Sequence, residues 1–344
     1  MKRSVLILKQ FGYALAAVSL FACTDNPGLT EHADAFHQRL STLLKLPEKR
    51  IETPKPEAQY PRKRDLAVPV ERTSLSLLQG LSLSYCEVGQ LIAENNSSLG
   101  RLKDGFNKYY ADLKMVSALK ACIDHPESSD IQNKLETALA QKESLLDASL
   151  ANAFAYDEAF RKALSVGSSP LQRIHVTEYN YAVNALERFT RILERWNYSK
   201  EPDALDEMSK MLGRLTRSNY LPGLFRTMLD YSHKLDHITA QLPNLTKAGG
   251  CLSDPKPERA MKMRNLFNEV YIKVMQKDLA ELIEQHQRLL TTLDTLQSIA
   301  PQPSLKKYIQ ELTSLSKKLT DSSVEFVRPW QKFFDECEFT PGVG

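Results

Sequence analysis

Three sets of residues in this 344-residue chain have the types and spacing that chemistry needs. Cys23 closes the run Leu20-Phe21-Ala22-Cys23, a nucleophilic thiol placed after a small residue and an apolar stretch, where it could be covalently modified. In Glu94-Asn95-Asn96-Ser97-Ser98-Leu99-Gly100-Arg101, amides and hydroxyls lie between an acid and a base and could line a small polar ligand site, with Glu94 and Arg101 as its charged poles. Asp230, His233 and His237 would stack on one helix face at intervals of three and four, a donor set that can hold a transition metal. Each set also has a plainer use. Cys23 could be a buried thiol in a short core helix or the end of an ordinary secretory leader. Asn and Ser are poor inside helices and good at their ends, where they bond free backbone groups. Asp and His are common on helix surfaces, so the expectation is that no metal and no cofactor is bound. His286 reads as a core histidine.

The usual catalytic signatures are missing. The sequence holds no G-x-S-x-G, H-E-x-x-H, phosphate-binding loop or dinucleotide fingerprint, no Glu-x-x-His and no C-x-x-C. No catalytic residue is therefore assigned. Two readings follow: a non-catalytic helical scaffold that binds a protein partner, or a hydrolase or small-ligand-binding protein with an unfamiliar site at Glu94, Asn95, Asn96, Ser97, Ser98 and Arg101.

The N-terminus resembles the leader of bacterial lipoproteins. Lys2 and Arg3 precede an apolar run over residues 11–22, too short to span a bilayer and long enough for a signal-peptide core. The resemblance implies removal of residues 1–22, a diacylglycerol on the Cys23 sulfur and a third acyl chain on its amine. Three chains anchor a protein firmly, since each buried CH₂ contributes about 0.8 kcal/mol. Thr24 stands where an aspartate would retain such a protein in the inner membrane, so the outer membrane is expected, facing the periplasm; Asp25, one residue later, pulls slightly the other way.

Of the 45 basic side chains, Lys2, Arg3 and Lys9 precede Cys23 with no acid among them, so the rest balance the 42 acids. A body of zero formal charge has no electrostatic footprint for nucleic acid. The partners expected are the membrane, through the anchor, and an envelope protein.

Four further cysteines, Cys86, Cys122, Cys251 and Cys337, make an even set for an oxidising compartment. A polar break at residues 100–105 lies midway between Cys86 and Cys122, each 18 residues from a turn near 104. Helices running antiparallel from that turn would bring the two side by side. Cys251 and Cys337 pair by elimination; four reduced core thiols are the alternative.

Steps of three and four recur along the chain and Gly is scarce, which makes the fold class all-α, a multi-helix bundle with antiparallel helical hairpins. Helices are expected over about 30–46, from 73 or 74 through Ile92, over 104–123, in one passage from Leu135 to Leu164, over 175–198, from about Leu205, and over 222–240. Glu201-Pro202-Asp203 and Asp254-Pro255-Lys256-Pro257-Glu258 read as helix entries. A coiled-coil-like seam through Ile272, Met275, Leu279, Leu282, His286, Leu289, Leu293 and Leu296 turns at Pro301-Gln302-Pro303 and returns through Leu305, Ile309, Leu312, Leu315 and Leu319. A tail carrying Trp330, Phe333 and Phe334 should dock on it.

Prolines at 47, 54, 56, 61 and 69 predict an extended N-terminal segment, wrapped along the body through Leu66, Val68 and Val70. The organisation expected is a leader over 1–22, a lipidated tether, short helix and proline-rich segment over 23–72, and one helical domain over 73–344, with a candidate subdivision at 167–170.

Ser84-Tyr85-Cys86, the run from Leu91 through Arg101, and Ala121-Cys122-Ile123 resemble an uncharacterised family of gammaproteobacterial lipoproteins, defined only as a domain of unknown function. The likeness covers most of the chain after the leader. It implies a helical envelope lipoprotein and lends no activity.

Overall fold

Leucines and aromatics recurring at three and four residues can be buried only if each stretch is helical and sets that face against another helix. The computed structural model describes residues 27–47, 50–56, 59–70, 83–199, 204–252 and 257–339. Among them every regular element is a helix and none is a strand. The leader, Cys23, Thr24, Asp25, the helix start near residue 73 and the entry at Glu201-Pro202-Asp203 lie outside the described residues, as does most of the entry at 254–258.

The α-helices are α1 (Glu31–Leu44), α2 (Lys63–Leu66), α3 (Glu87–Asn96), α4 (Gly105–Ile123), α5 (Gln132–Ser144), α6 (Leu146–Tyr156), α7 (Glu158–Leu164), α8 (Val176–Ser199), α9 (Leu205–Arg217), α10 (Tyr220–Gln241), α11 (Leu245–Gly249), α12 (Glu258–Leu266), α13 (Gln276–Ile299), α14 (Pro303–Thr313) and α15 (Leu315–Glu336). The strongest packings are α10 on α15, α4 on α6 and α5, α8 on α9, and α13 on α14. Among the described residues no helix is long and apolar enough to cross a membrane.

One large core holds most of these faces. Leu279, Leu282, His286, Leu289, Leu293 and Leu296 of the seam are all buried. Phe106, Phe154, Phe160 and Phe189, from four helices, meet with ring centroids 4.8–5.5 Å apart. A smaller core gathers Val88, Leu91 and Ile92 of α3 with Leu119 and Cys122 of α4 and Leu135 of α5. Helix α4 joins the two, because Phe106, Tyr109, Leu113 and Val116 face the large core while Met115, Ala118, Leu119 and Cys122 face the small one.

Five sequence expectations are revised. In the described part, α3 starts only at Glu87: Cys86 is extended (φ −130°, ψ 162°) and its N–H closes a turn on Leu83 O at 3.2 Å, as suits the weak helix formers Ser84, Tyr85 and Cys86. The passage 135–164 is three helices, the second break falling at Asp157, whose carboxylate caps α7 by accepting from Phe160 N at 2.9 Å. The start of the seam, at Ile272 and Met275, falls in a π-helical run, Phe267–Met275, in which Phe267 and Tyr271 stack at 4.9 Å. Ser314 divides the returning face into α14 and α15; the tail beyond it docks as expected, as helix to Glu336 with Trp330, Phe333 and Phe334 buried. In the proline-rich stretch Leu66 is buried but Val68 and Val70 are each 39% exposed, and polar bonds to the backbone hold that part of the chain instead.

Candidate functional site

Helix α3 runs out at Asn96 because Ser97 folds back over its end. The Ser97 N–H donates to Ala93 O and Glu94 O, its hydroxyl donates to Glu94 O at 2.7 Å, and that hydroxyl accepts from Gly100 N at 3.0 Å. Gly100 is required here, since a Cβ on it would stand 2.1 Å from Glu94 O. Arg101 Nε donates to Asn96 O at 3.0 Å. So Ser97 and Arg101 satisfy the carbonyls that a helix end leaves open.

Glu94 and Arg101 do not face each other as poles. Glu94 instead accepts from Lys103 Nζ at 3.1 Å, a pair that the sequence did not single out. Beside them lies a surface cleft of about 370 Å³, lined by Glu94, Leu99, Leu102, Lys103, Tyr110 and Leu205 among others. Partial burial pushes the Tyr110 hydroxyl above its ordinary range. Leu205 comes from more than a hundred residues away, so no local pattern could have announced it. Asn96, Ser97, Ser98 and Arg101 are exposed and Asn95 half-buried; none of the five lines the cleft.

The four cysteines stand in two pairs. Cys86, just ahead of α3, bonds Cys122 in the last turn of α4 (Cα–Cα 5.7 Å), and Cys251, after α11, bonds Cys337 at the end of α15 (5.3 Å). The first pair closes the small core; the second fastens the end of the last helix beside α11.

Asp230, His233 and His237 share a helix as their spacing requires, but Asp230 is turned to Arg226, whose Nε lies 2.9 Å from its carboxylate. Burial raises the Asp230 carboxyl, and Arg226 offsets part of that rise. His37 of α1 comes up instead: its ring lies 5.9 Å from that of His237, and the Gln241 side chain lies between the two, 3.4 Å from His37 Nε2 and 2.5 Å from His237 Nε2. Among the described residues no group of three or more His, Cys, Asp or Glu is placed to hold a metal ion. His286 lies within the core, where its Nε2–H donates to Leu312 O at 2.9 Å.

The family described as "Protein of unknown function (DUF3080)" matches residues 33–341. The chain belongs to that family. No curated protein and no solved structure matches it. The DUF3080 match takes in both cysteine pairs and the whole 94–101 stretch. Its description carries no activity, so any functional reading rests on the residues themselves.

Proposed function

We propose that the chain is an envelope lipoprotein, cut before Cys23, acylated there and held at the outer membrane facing the periplasm. Its helical body works as a non-catalytic scaffold that engages an envelope protein partner. The observation that carries this reading is the pairing of all four cysteines beyond Cys23, which suits a chain folded in an oxidising compartment. The lipobox-like Leu20-Phe21-Ala22-Cys23 and the charge balance beyond it support the same reading. So does the use of Ser97 and Arg101 as helix caps, which draws those polar groups away from ligand chemistry.

The cleft beside Glu94, Lys103 and Tyr110 favours a second reading, a hydrolase or small-ligand-binding lipoprotein. Metabolic labelling with a lipid precursor tests the anchor: the wild-type chain takes up label and the Cys23→Ser variant takes up none. Label on both, or on neither, would sink it. Crosslinked capture from intact cells tests the scaffold role, with one reproducible partner expected; porins alone would count against it. A Glu94→Gln, Tyr110→Phe variant that keeps that partner separates the scaffold from a ligand site.

A further inference from the structure

A large concavity lies at the start of the described chain. Helix α1 is pressed to the body by Ala33, Phe36 and Leu40, and Ile51 pins the extended residues 50–53 nearby. Between them runs a groove of about 960 Å³, lined by Glu31, Asp34, His37, Arg50, Glu52 and Lys234, with Pro27 in one wall. That volume suits a small ligand, for which sites run to about 1,000 Å³. Lys234 reaches in from α10 with its side chain 9% exposed, and its ammonium donates to Thr30 O at 3.0 Å and Asp34 at 2.6 Å. An ammonium carries three donors, and the described residues supply acceptors for two. The groove therefore presents cations and carboxylates together, a lining that fits a ligand bearing both signs better than a simple anion.

We propose that this groove receives the phosphoethanolamine head group of a membrane lipid, its phosphate set toward Arg50 and Lys234 and its ammonium toward Glu31 and Glu52. The choice of a lipid over a free zwitterion rests on the proposed anchor. Pro27 is four residues beyond Cys23, and four residues reach about 14 Å at most, so an acylated Cys23 would hold this groove against the head-group layer. Tethering also makes a weak site sufficient, because a short linker keeps the ligand at an effective concentration of the order of millimolar. Occupancy would fix which face of the bundle lies on the membrane.

The test uses the full-length Cys23→Ser chain, so that acylation plays no part in the measurement. Glycerophosphoethanolamine, followed by backbone amide shifts, should bind saturably and perturb residues 31–38 and 50–53. Arg50→Gln should weaken this at least tenfold with the far-ultraviolet circular dichroism unchanged. Glu52→Gln should weaken glycerophosphoethanolamine but leave glycerol 3-phosphate unaffected. Vesicles containing phosphatidylethanolamine should retain the chain better than phosphatidylglycerol vesicles. No saturable binding, binding indifferent to Arg50→Gln, equal retention on both vesicles, or tighter binding of trialanine than of the head group would each overturn the proposal. Head-group binding in a chain whose wild-type Cys23 takes up no lipid label would sink the anchor and leave the groove standing.

Discussion

Asn152 treats Val68 as a neighbouring strand would. Its side-chain amide donates to Val68 O at 2.8 Å while its carbonyl accepts from Val68 N at 2.8 Å. The same part of the chain is held at Leu66 O by Gln302 Nε2 (2.7 Å), and at Pro61 O by Arg161, whose guanidinium also lies 4.5 Å over the Tyr60 ring. These are bonds to backbone, which explains why Val68 needs no apolar seat.

Replacing Asn152 by Ala should therefore loosen residues 60–70 and little else. Each net hydrogen bond contributes about 1 kcal/mol, so the expected local loss is about 2 kcal/mol. Hydrogen exchange at Val68 should accelerate at least tenfold, and limited proteolysis should begin within 60–70, while the main unfolding transition stays put. Unchanged exchange at Val68 would show that the Asn152 pair does not hold this stretch.

The two cysteine links close loops of different length, with sequence separations of 36 and 86. A link constrains the unfolded chain more as its loop grows, and each should contribute about 2–4 kcal/mol. The Cys251→Ser, Cys337→Ser double variant should lower Tm further than the Cys86→Ser, Cys122→Ser one. Peptide mapping without reduction should recover Cys86 joined to Cys122 and Cys251 joined to Cys337. Any crossed pairing, or four alkylatable thiols, contradicts the arrangement.

Why some of this was legible and some was not comes down to range. Leu279, Leu282, Leu289, Leu293 and Leu296 announce a buried seam because a helix repeats its face locally. Cys86 with Cys122 could be read because a single turn lies between them. The π-helical run at the start of the seam could not: nothing in its own spacing marks the wider turn, and its Phe267 packs at 4.7 Å on Trp330, over sixty residues on. The same holds for the candidate site. Ser97 as a cap follows from its own propensity, whereas the pairing of Glu94 with Lys103 and the cleft wall made by Leu205 depend on how the chain folds back.

Asp157 and Gly105 form a coupled joint between α4 and α7. Asp157 accepts from Phe160 N at 2.9 Å and from Phe106 N at 3.3 Å, and burial raises its carboxyl above the ordinary range. Gly105 sits at φ +52°, where a Cβ would lie 2.6 Å from Asp157 Oδ2, an atom that Asp157→Ala removes. Asp157→Ala should cost about 2–3 kcal/mol by leaving two buried N–H groups unmet. Gly105→Ala should cost about 2 kcal/mol or more through the left-handed backbone and the clash. Since the residues touch, the double variant should lose less than the two losses added; strict additivity in denaturant unfolding would refute the coupling.

His286 makes the fold sensitive to acid. Burial lowers its pKa from 6.5 to about 4, outweighing the hydrogen bond to Leu312 O, and its ring packs 6.1 Å from Phe225. The unfolded chain takes up this proton near pH 6.5 and the folded chain only near 4, so stability is full above 6.5 and is lost as pH falls between the two. The shift sets an upper bound of about 3 kcal/mol on that loss. Asp157, Asp230 and Asp278, raised by burial, act in the opposite sense: the folded chain holds their protons to higher pH, so their contributions grow as pH falls. The decisive quantity is thus the difference between wild type and His286→Leu, measured by urea unfolding from pH 7 to pH 4. The variant starts lower at pH 7, because Leu312 O loses its donor, and should close the gap on wild type as pH drops. Parallel curves across that range would remove His286 as the origin of the acid sensitivity.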